Sequence, residues 1–242
     1  MTGAAKRIGR EIALGFAAQG AGCLVHYNRS VGAAQSVVAE CQALGVRAEA
    51  LAADLESSSG IRSLAEEATK RGVDILVHNA STFSRLPFLE SDAAAHAETL
   101  ERDWAVHVRA PYLLGRLLGE HMVAKGFGRI VLFGDWSSEA AVYRHYAPYI
   151  VSKAAVPALA KTLAFELGSR CAGVTVNAVL PGPIMPPEGH DPADVEMVAR
   201  QTVLGSWIGA PDVVRAVLFL VGSDKVTGTV VRVDGGRAIK AL

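Results

Sequence analysis

The sequence lacks the means to staple a small fold covalently. Its three cysteines, Cys23, Cys41 and Cys171, are odd in number and far apart, and none stands in a CxxC or other metal-ligand spacing. That excludes a disulfide framework, predicts no metal site and fits a reducing cytoplasm. No apolar run reaches the roughly 18 residues of a membrane span, and no charged-then-apolar leader opens the chain. A soluble, cytoplasmic protein is expected. Net charge is lacking as well, because 24 Lys and Arg residues balance 24 Asp and Glu. Nothing then draws the chain onto nucleic acid or an anionic membrane, and a small molecule is the expected partner. Long linkers, repeats and low-complexity segments are also missing. All 242 residues, 50% of them hydrophobic, read as one domain with a large core.

What is present is an alternation. Short apolar runs recur in "GCLVHYN", "VRAEALAADL", "VDILVHNAS", "GRIVLFGDW", "GVTVNAVLPG" and "TGTVVRVDGG". Most lack the apolar/polar alternation of a half-wet sheet, so they read as parallel strands buried on both faces. Helical patterns separate them: "KRIGREIALGFAAQG", "VGAAQSVVAECQALG", "IRSLAEEATKRG", one long stretch around "WAVHVRAPYLLGRLLGEHMVAKG", and "YIVSKAAVPALAKTLAFELGSR". The order predicts an α/β fold, a doubly wound, Rossmann-like parallel sheet with right-handed crossovers. Pro and Gly cluster around 183–205, ahead of a helical pattern, which predicts a mobile substrate flap.

The chain opens "MTGAAKRIGRE", a glycine-rich turn preceded only by Met1. In a doubly wound sheet the strand before that turn lies in the middle, so its loss would leave unpaired edges in the core. The true start is therefore expected upstream. The alternative is that another element fills the gap.

A glycine turn leading into a helix, with a strand one crossover later, is the arrangement of a dinucleotide site. At the end of that strand stands "HYNRS". His26, Asn28, Arg29 and Ser30 supply donors and no carboxylate, with Lys6 or Arg7 close by in the turn. Such a cluster suits the extra phosphate of NADP, whereas an acid there would suit NAD. A solvated strand end is the plainer alternative. Further on, Tyr149 and Lys153 are four residues apart and share a helix face. A free tyrosine has a pKa of about 10, and a neighbouring ammonium is expected to lower it so that Tyr149 acts as an acid. Tyr146 has no such lysine.

Taken together, "TGAAKRIG", Asp54 in "ADL", "HNAS", Tyr149 with Lys153, "PGPI" and "TGTVVRVDGG" resemble the short-chain dehydrogenase/reductases over nearly the whole chain. The resemblance implies that Gly3, Lys6, Arg7, Ile8 and Gly9 form the cofactor turn, and that Asp54 sits near the adenine with Leu55 beside it. It further implies that Asn79, Ala80 and Ser81 line the cofactor, that Lys153 also holds the nicotinamide ribose, and that Pro181, Gly182 and Ile184 contact the carboxamide. A homo-oligomer, commonly a tetramer, is implied as well. Three departures point to the pteridine reductases within the family. Arg7 replaces the middle glycine of the turn, "HYNRS" follows the second strand of the pattern, and Asp135 in "GDW" stands near where a serine would support the tyrosine. By that likeness Ser81 and Phe83 contact the pterin and stack on it, with Arg7 a donor to it.

Alternatives stay open at several positions. Asp135 lies 14 residues before Tyr149, one more than the family spacing, which leaves Ser137 or Ser138 as candidates for the serine role. Phe83 is otherwise plain packing at a strand exit. His107 stands where the family has asparagine, which questions the water-linked proton relay; on an apolar helix face it reads first as a hydrogen-bonded core residue. Trp104, Trp136 and Trp207 read as packing, the last two beside Asp135 and the flap. The expected activity is NADPH-dependent reduction of a pterin-like ring. A reductase of 3-oxoacyl thioesters and an idle NADP-binding scaffold are the alternatives.

Overall fold

The computed structural model describes residues 1–138, 143–186 and 191–240. All six apolar runs form strands: β1 (Cys23–Tyr27), β2 (Ala48–Ala52), β3 (Ile75–His78), β4 (Gly128–Phe133), β5 (Val174–Pro181) and β6 (Val230–Val233). Every pairing is parallel, β1 with β2, and then β3, β4, β5 and β6 in that order. Between β1 and β3 lie Met1 and Thr2. His26 N donates to Met1 O at 3.0 Å and Thr2 N to Val77 O at 2.9 Å, with Thr2 bridged to His78. Two extended residues thus join the two parts of the sheet where unpaired edges were expected.

Helices cover both faces. On one lie α1 (Arg7–Ala18), α2 (Val31–Ala43) and α8 (Ala210–Gly222); on the other lie α3 (Ser58–Lys70), α5 (Ala110–Lys125) and α6 (Ala147–Gly168). The strand period sorts the side chains between them. In β4, Ile130 and Leu132 join the core beneath α5 and α6, while Val131 and Phe133 join the core beneath α1 and α8. Every residue of β4 and β5 is buried, which accounts for their unbroken apolar sequences.

Two elements depart from the sequence pattern. The long helix expected around "WAVHVRAPYLLG" is α4 (Ala93–Trp104), a π turn (Ala105–Arg109) and α5, so one extra residue is accommodated at His107. The helix α8 was not anticipated. Pro211 in its first turn masks it in sequence, although Asp212 Oδ2 accepts from Gly209 N at 2.9 Å to cap it. Within the segment expected to be a flap, α7 (Pro192–Arg200) is the helix that the pattern predicted, and 187–190 lie outside the described residues. Among the described residues no helix is long and apolar enough to cross a membrane.

Thr2 shows how tightly the mid-sheet junction is knit. Its buried Oγ1 accepts from Asn79 N and Ala80 N, each at 3.1 Å, and lies 3.1 Å from His78 Nδ1. His78 Nε2 must donate to Val106 O at 2.9 Å, so Nδ1 is its acceptor and the threonine hydroxyl fills it. Burial pushes the His78 pKa down to about 3, consistent with this neutral tautomer. Thr2→Val keeps the shape and strands two amides and a ring nitrogen. The variant is expected to lose about 2–4 kcal/mol, read as a lower urea midpoint at unchanged slope; an unchanged midpoint would discount the hydroxyl.

Candidate active site

The glycine turn lies against the end of β3 so closely that side chains are barred from it. A Cβ on Gly9 would stand 2.1 Å from Gly3 O and 2.7 Å from Asn79 Nδ2, and one on Gly3 would stand 2.8 Å from Ala80 Cα, at a φ of +60°. Asn79 closes the contact by donating from Nδ2 to Gly3 O at 2.9 Å. The following helix α1 has no side-chain cap at its start, which leaves first-turn amides for an incoming acceptor. This cradle opens into a cleft of about 1320 Å³ whose walls include Gly3, Lys6, Asn28, Arg29 and Ser30. Neither Lys6 nor Arg29 has an ion-pair partner among the described residues. Uncapped amides, enforced glycines and unpaired cations fit the phosphates of a dinucleotide.

Several candidates sit elsewhere. His26 does not reach a phosphate: it is buried, its Nδ1 accepts from Gly3 N at 3.1 Å, and its Nε2 donates to Ala53 O at 3.1 Å. Burial lowers its pKa to about 4, so it braces the glycine turn as a neutral ring. The Leu55 side chain belongs to the core, which leaves only its backbone for a ligand. Asp54 accepts from Glu56 N at 2.9 Å and, like Ala80, lies outside the walls of the clefts described here.

A smaller cleft, about 280 Å³, adjoins the first, and Ser81 and Phe83 line both. It gathers Asn79, Asp135, Tyr149 and Lys153 with Ile8, and on its far wall Pro181, Gly182 and Ile184. Arg7 also faces it, at a φ of +48°, and donates to Ile184 O at 3.3 Å and Met185 O at 2.6 Å. The turn and the 183–186 segment are thereby tied together.

At its centre Tyr149 Oη donates to Asp135 Oδ2 at 2.8 Å, while Asp135 Oδ1 accepts from Ser137 N at 2.8 Å. A 3₁₀ turn over Trp136–Ser138 follows the aspartate. The hydroxyls of Ser137 and Ser138 are buried without a hydrogen-bond partner among the described residues, and it is the aspartate that meets the tyrosine. Lys153 is buried, donates from Nζ to Phe133 O at 2.9 Å and stands 5.9 Å from the Tyr149 ring centroid. Burial lowers its pKa to about 8 against the pull of Asp135 and Asp103. The lowered tyrosine pKa expected from the Tyr-Lys spacing is reversed. Burial, and then the negative charge of Asp135, hold the Tyr149 phenol well above its ordinary value.

Hydrogen-bond logic also settles the state of His107. Its Nε2 accepts from Thr82 N at 3.1 Å, so Nδ1 carries the proton and donates to Ser152 Oγ at 2.8 Å; Ser152 in turn donates to Tyr149 O at 2.8 Å. Burial holds the ring neutral. His107 is therefore a strut between the loop after β3 and the helix carrying Tyr149. Above the tyrosine, Phe83 is 58% exposed, stacked on Tyr146 at 4.4 Å and edge-on to Tyr149 at 4.8 Å. Tyr143, also lining the smaller cleft, was not singled out by sequence, since an aromatic in a loop carries no periodic signal, and Tyr146, which lacks a lysine four residues on, proves to be the ring stacked on Phe83. Trp136 is fully buried and donates to Tyr143 Oη at 2.6 Å, Trp207 donates to Val195 O at 2.7 Å, and Trp104 lines the larger cleft.

Comparison with known proteins bears on this geometry. A family model described as enoyl-(acyl carrier protein) reductase matches residues 3–238. The chain is 33% identical to an L-rhamnose 1-dehydrogenase (NAD(P)(+)) from Sphingomonas sp. (strain SKA58), covering 98% of this chain and 94% of that one. It resembles the crystal structure of a blue fluorescent protein from a metagenomic library in complex with NADPH, with a TM-score of 0.87, 32% identity and coverage of 98% and 96%. The structure of FolM alternative dihydrofolate reductase 1 from Brucella canis, complexed with NADP, matches with a TM-score of 0.86, 28% identity and coverage of 98% and 92%.

The buried Lys153 makes a pH prediction. Unfolded, the lysine keeps its proton to about 10.5; folded, it releases it near 8. Between those values the unfolded chain binds more protons, so this group lets the fold gain stability as pH rises. Relative to Lys153→Met, the wild-type unfolding free energy from urea titrations is expected to climb from pH 8 to pH 10, by at most about 3 kcal/mol. Parallel pH profiles would show that Lys153 titrates normally.

Proposed function

The chain belongs to the short-chain dehydrogenase/reductase superfamily and is an NAD(P)-dependent oxidoreductase, and on that premise we propose that it uses NADPH to reduce a C=N bond in a pterin-like ring. The observation that carries the reading is the Asp135 carboxylate on the Tyr149 hydroxyl at 2.8 Å, beneath the exposed ring of Phe83. A flat heterocycle is suited to an aromatic face, and reducing it requires a proton at a ring nitrogen. Gly3, Lys6, Asn28, Arg29 and Ser30 would hold the dinucleotide, whose chemistry there would be that of a hydride donor to the ring carbon.

The protein's part is to hold and deliver the proton. Tyr149 keeps its phenol protonated until the ring nitrogen gains electron density, and then donates it. The resulting phenolate lies near the Lys153 ammonium, and Asp135, only partly buried at the smaller cleft, is placed to return a proton from solvent. His107 keeps the Tyr149 helix in register. Preference for NADPH is supported by Lys6 and Arg29 beside Asn28 and Ser30, with no carboxylate at that strand end. A homo-oligomer is supported by the exposed apolar side chains of Val151 and Phe165 on α6 and Tyr112 on α5.

The test is oxidation of NADPH and of NADH against dihydrobiopterin, dihydrofolate and acetoacetyl thioester, and reduction of NADP+ and of NAD+ by L-rhamnose. Pteridine turnover with NADPH favoured is expected; turnover of the sugar or thioester alone overturns the ring substrate. Asp135→Ala is expected to lower kcat at least about 100-fold, whereas Ser137→Ala and Ser138→Ala stay within a few-fold. Equal losses from all three would return the helper role to a serine. Arg29→Ala should raise the KM for NADPH about tenfold and leave that for NADH little changed; a shift in both alike would remove Arg29 from phosphate recognition.

A further inference from the structure

The smaller cleft holds a second phenol that the proton chemistry does not use. Tyr143 lines it beside Tyr149, and both rings meet Phe83 edge-on, with centroids 6.2 Å and 4.8 Å away. An indole N–H can only donate. Trp136 Nε1 therefore donates to Tyr143 Oη at 2.6 Å, which fixes the phenol oxygen and leaves its own hydrogen to be used elsewhere. No group among the described residues accepts that hydrogen. Both oxygens of Asp135 are already engaged, one by Tyr149 and the other by Ser137 N. The other neutral side-chain donors of the cleft are spent within the protein, Asn79 on Thr2 O and Gly3 O, and Ser81 on Thr82 O. Burial, and then the charge of Asp135, hold the Tyr143 phenol above its ordinary pKa, so it keeps the proton it offers.

Behind this phenol stands a cation. Arg237, in the short helix α9 (Arg237–Lys240), lies over Trp136 with its guanidinium carbon 4.9 Å from the ring centroid. Its Nη1 is buried without a hydrogen-bond partner among the described residues. A cation on an indole face draws on the electron density of the ring, which makes the Nε1–H a stronger donor. A phenol oxygen that accepts a stronger hydrogen bond in turn offers its own proton more strongly. Arg237, Trp136 and Tyr143 thus form a polarised chain that ends in the cleft.

We propose that Tyr143 is a specificity-determining residue, whose hydroxyl donates to the ring carbonyl oxygen next to the nitrogen that Tyr149 protonates. This rests on the pterin reading above and deepens it. In a pterin that oxygen and that nitrogen stand side by side on one edge, so a single edge turned to the two phenols engages both. Arg237 is a positioning residue that acts through Trp136. A ring without the oxygen leaves the Tyr143 donor unanswered, which is the source of the selectivity. Because the carbonyl is present before and during hydride transfer, the bond serves ground and transition states alike and its loss raises KM more than it lowers kcat.

The test compares the wild type with Tyr143→Phe and Arg237→Gln on dihydrobiopterin and on its analogue with hydrogen in place of that oxygen, alongside a fluorescence titration of NADPH binding. In Tyr143→Phe, kcat/KM for dihydrobiopterin is expected to fall about tenfold to 100-fold, chiefly through KM, while the analogue and NADPH binding are little affected. Arg237→Gln, which keeps the phenol and its packing, should show a smaller loss with the same selectivity for the oxygen-bearing ring. Equal losses on the two substrates, or an unchanged KM for dihydrobiopterin in Tyr143→Phe, overturn the role of Tyr143 while the pterin reading stands. Failure of the wild type to reduce either pteridine, in a folded protein that binds NADPH, overturns the pterin reading and the role of Tyr143 with it.

Discussion

The close approach of the glycine turn to the end of β3 is the contact on which the rest depends. Gly3 and Gly9 tolerate no Cβ there, and Asn79 pins the turn by its side chain. Thr2 and His26 hold the same turn from the sheet, one through the amides of Asn79 and Ala80, the other through Gly3 N. Because the start of α1 and the wall of both clefts hang from this one junction, loosening it would move the cofactor cradle and the catalytic cleft together. Irregular backbone at the centre of a sheet is tolerable only when every polar group is answered, as it is around Thr2.

Three buried histidines carry out this answering without charge. His26, His78 and His107 each accept at one ring nitrogen and donate at the other, and burial lowers the pKa of all three. Their neutrality is a packing property: a second ring proton would face an amide or a hydroxyl already committed as a donor. At the smaller cleft the charged groups Lys153 and Asp135 stand on either side of Tyr149. Burial first, and then Asp135 bonded directly to the hydroxyl, hold the phenol protonated, while Lys153 is drawn to Phe133 O.

Much of the fold was legible because its signals are local. The six strands are apolar runs, α1 and α3 carry a clear amphipathic period, and α2 and α6 are stretches delimited by the turns around them. The π turn at His107 and α8 behind Pro211 were not, since a one-residue insertion hardly alters an apolar pattern and a proline near a helix start imitates a breaker. At the site, the spacing of Tyr149 and Lys153 and the glycines were readable, but His26 was misassigned because a histidine at a strand end looks the same whether its ring faces solvent or the turn.

By itself, the sequence determined a parallel, doubly wound sheet, a dinucleotide turn and a Tyr-Lys pair, because strand burial, glycine placement and helical spacing are properties of neighbours along the chain. Only the tertiary structure decided that Asp135 rather than Ser137 or Ser138 meets Tyr149, that the phenol is held protonated, and that Phe83 stacks on Tyr146 at the edge of Tyr149. Those outcomes depend on distances across segments far apart in the chain and on how deeply each charge is withdrawn from water, and no residue pattern encodes either.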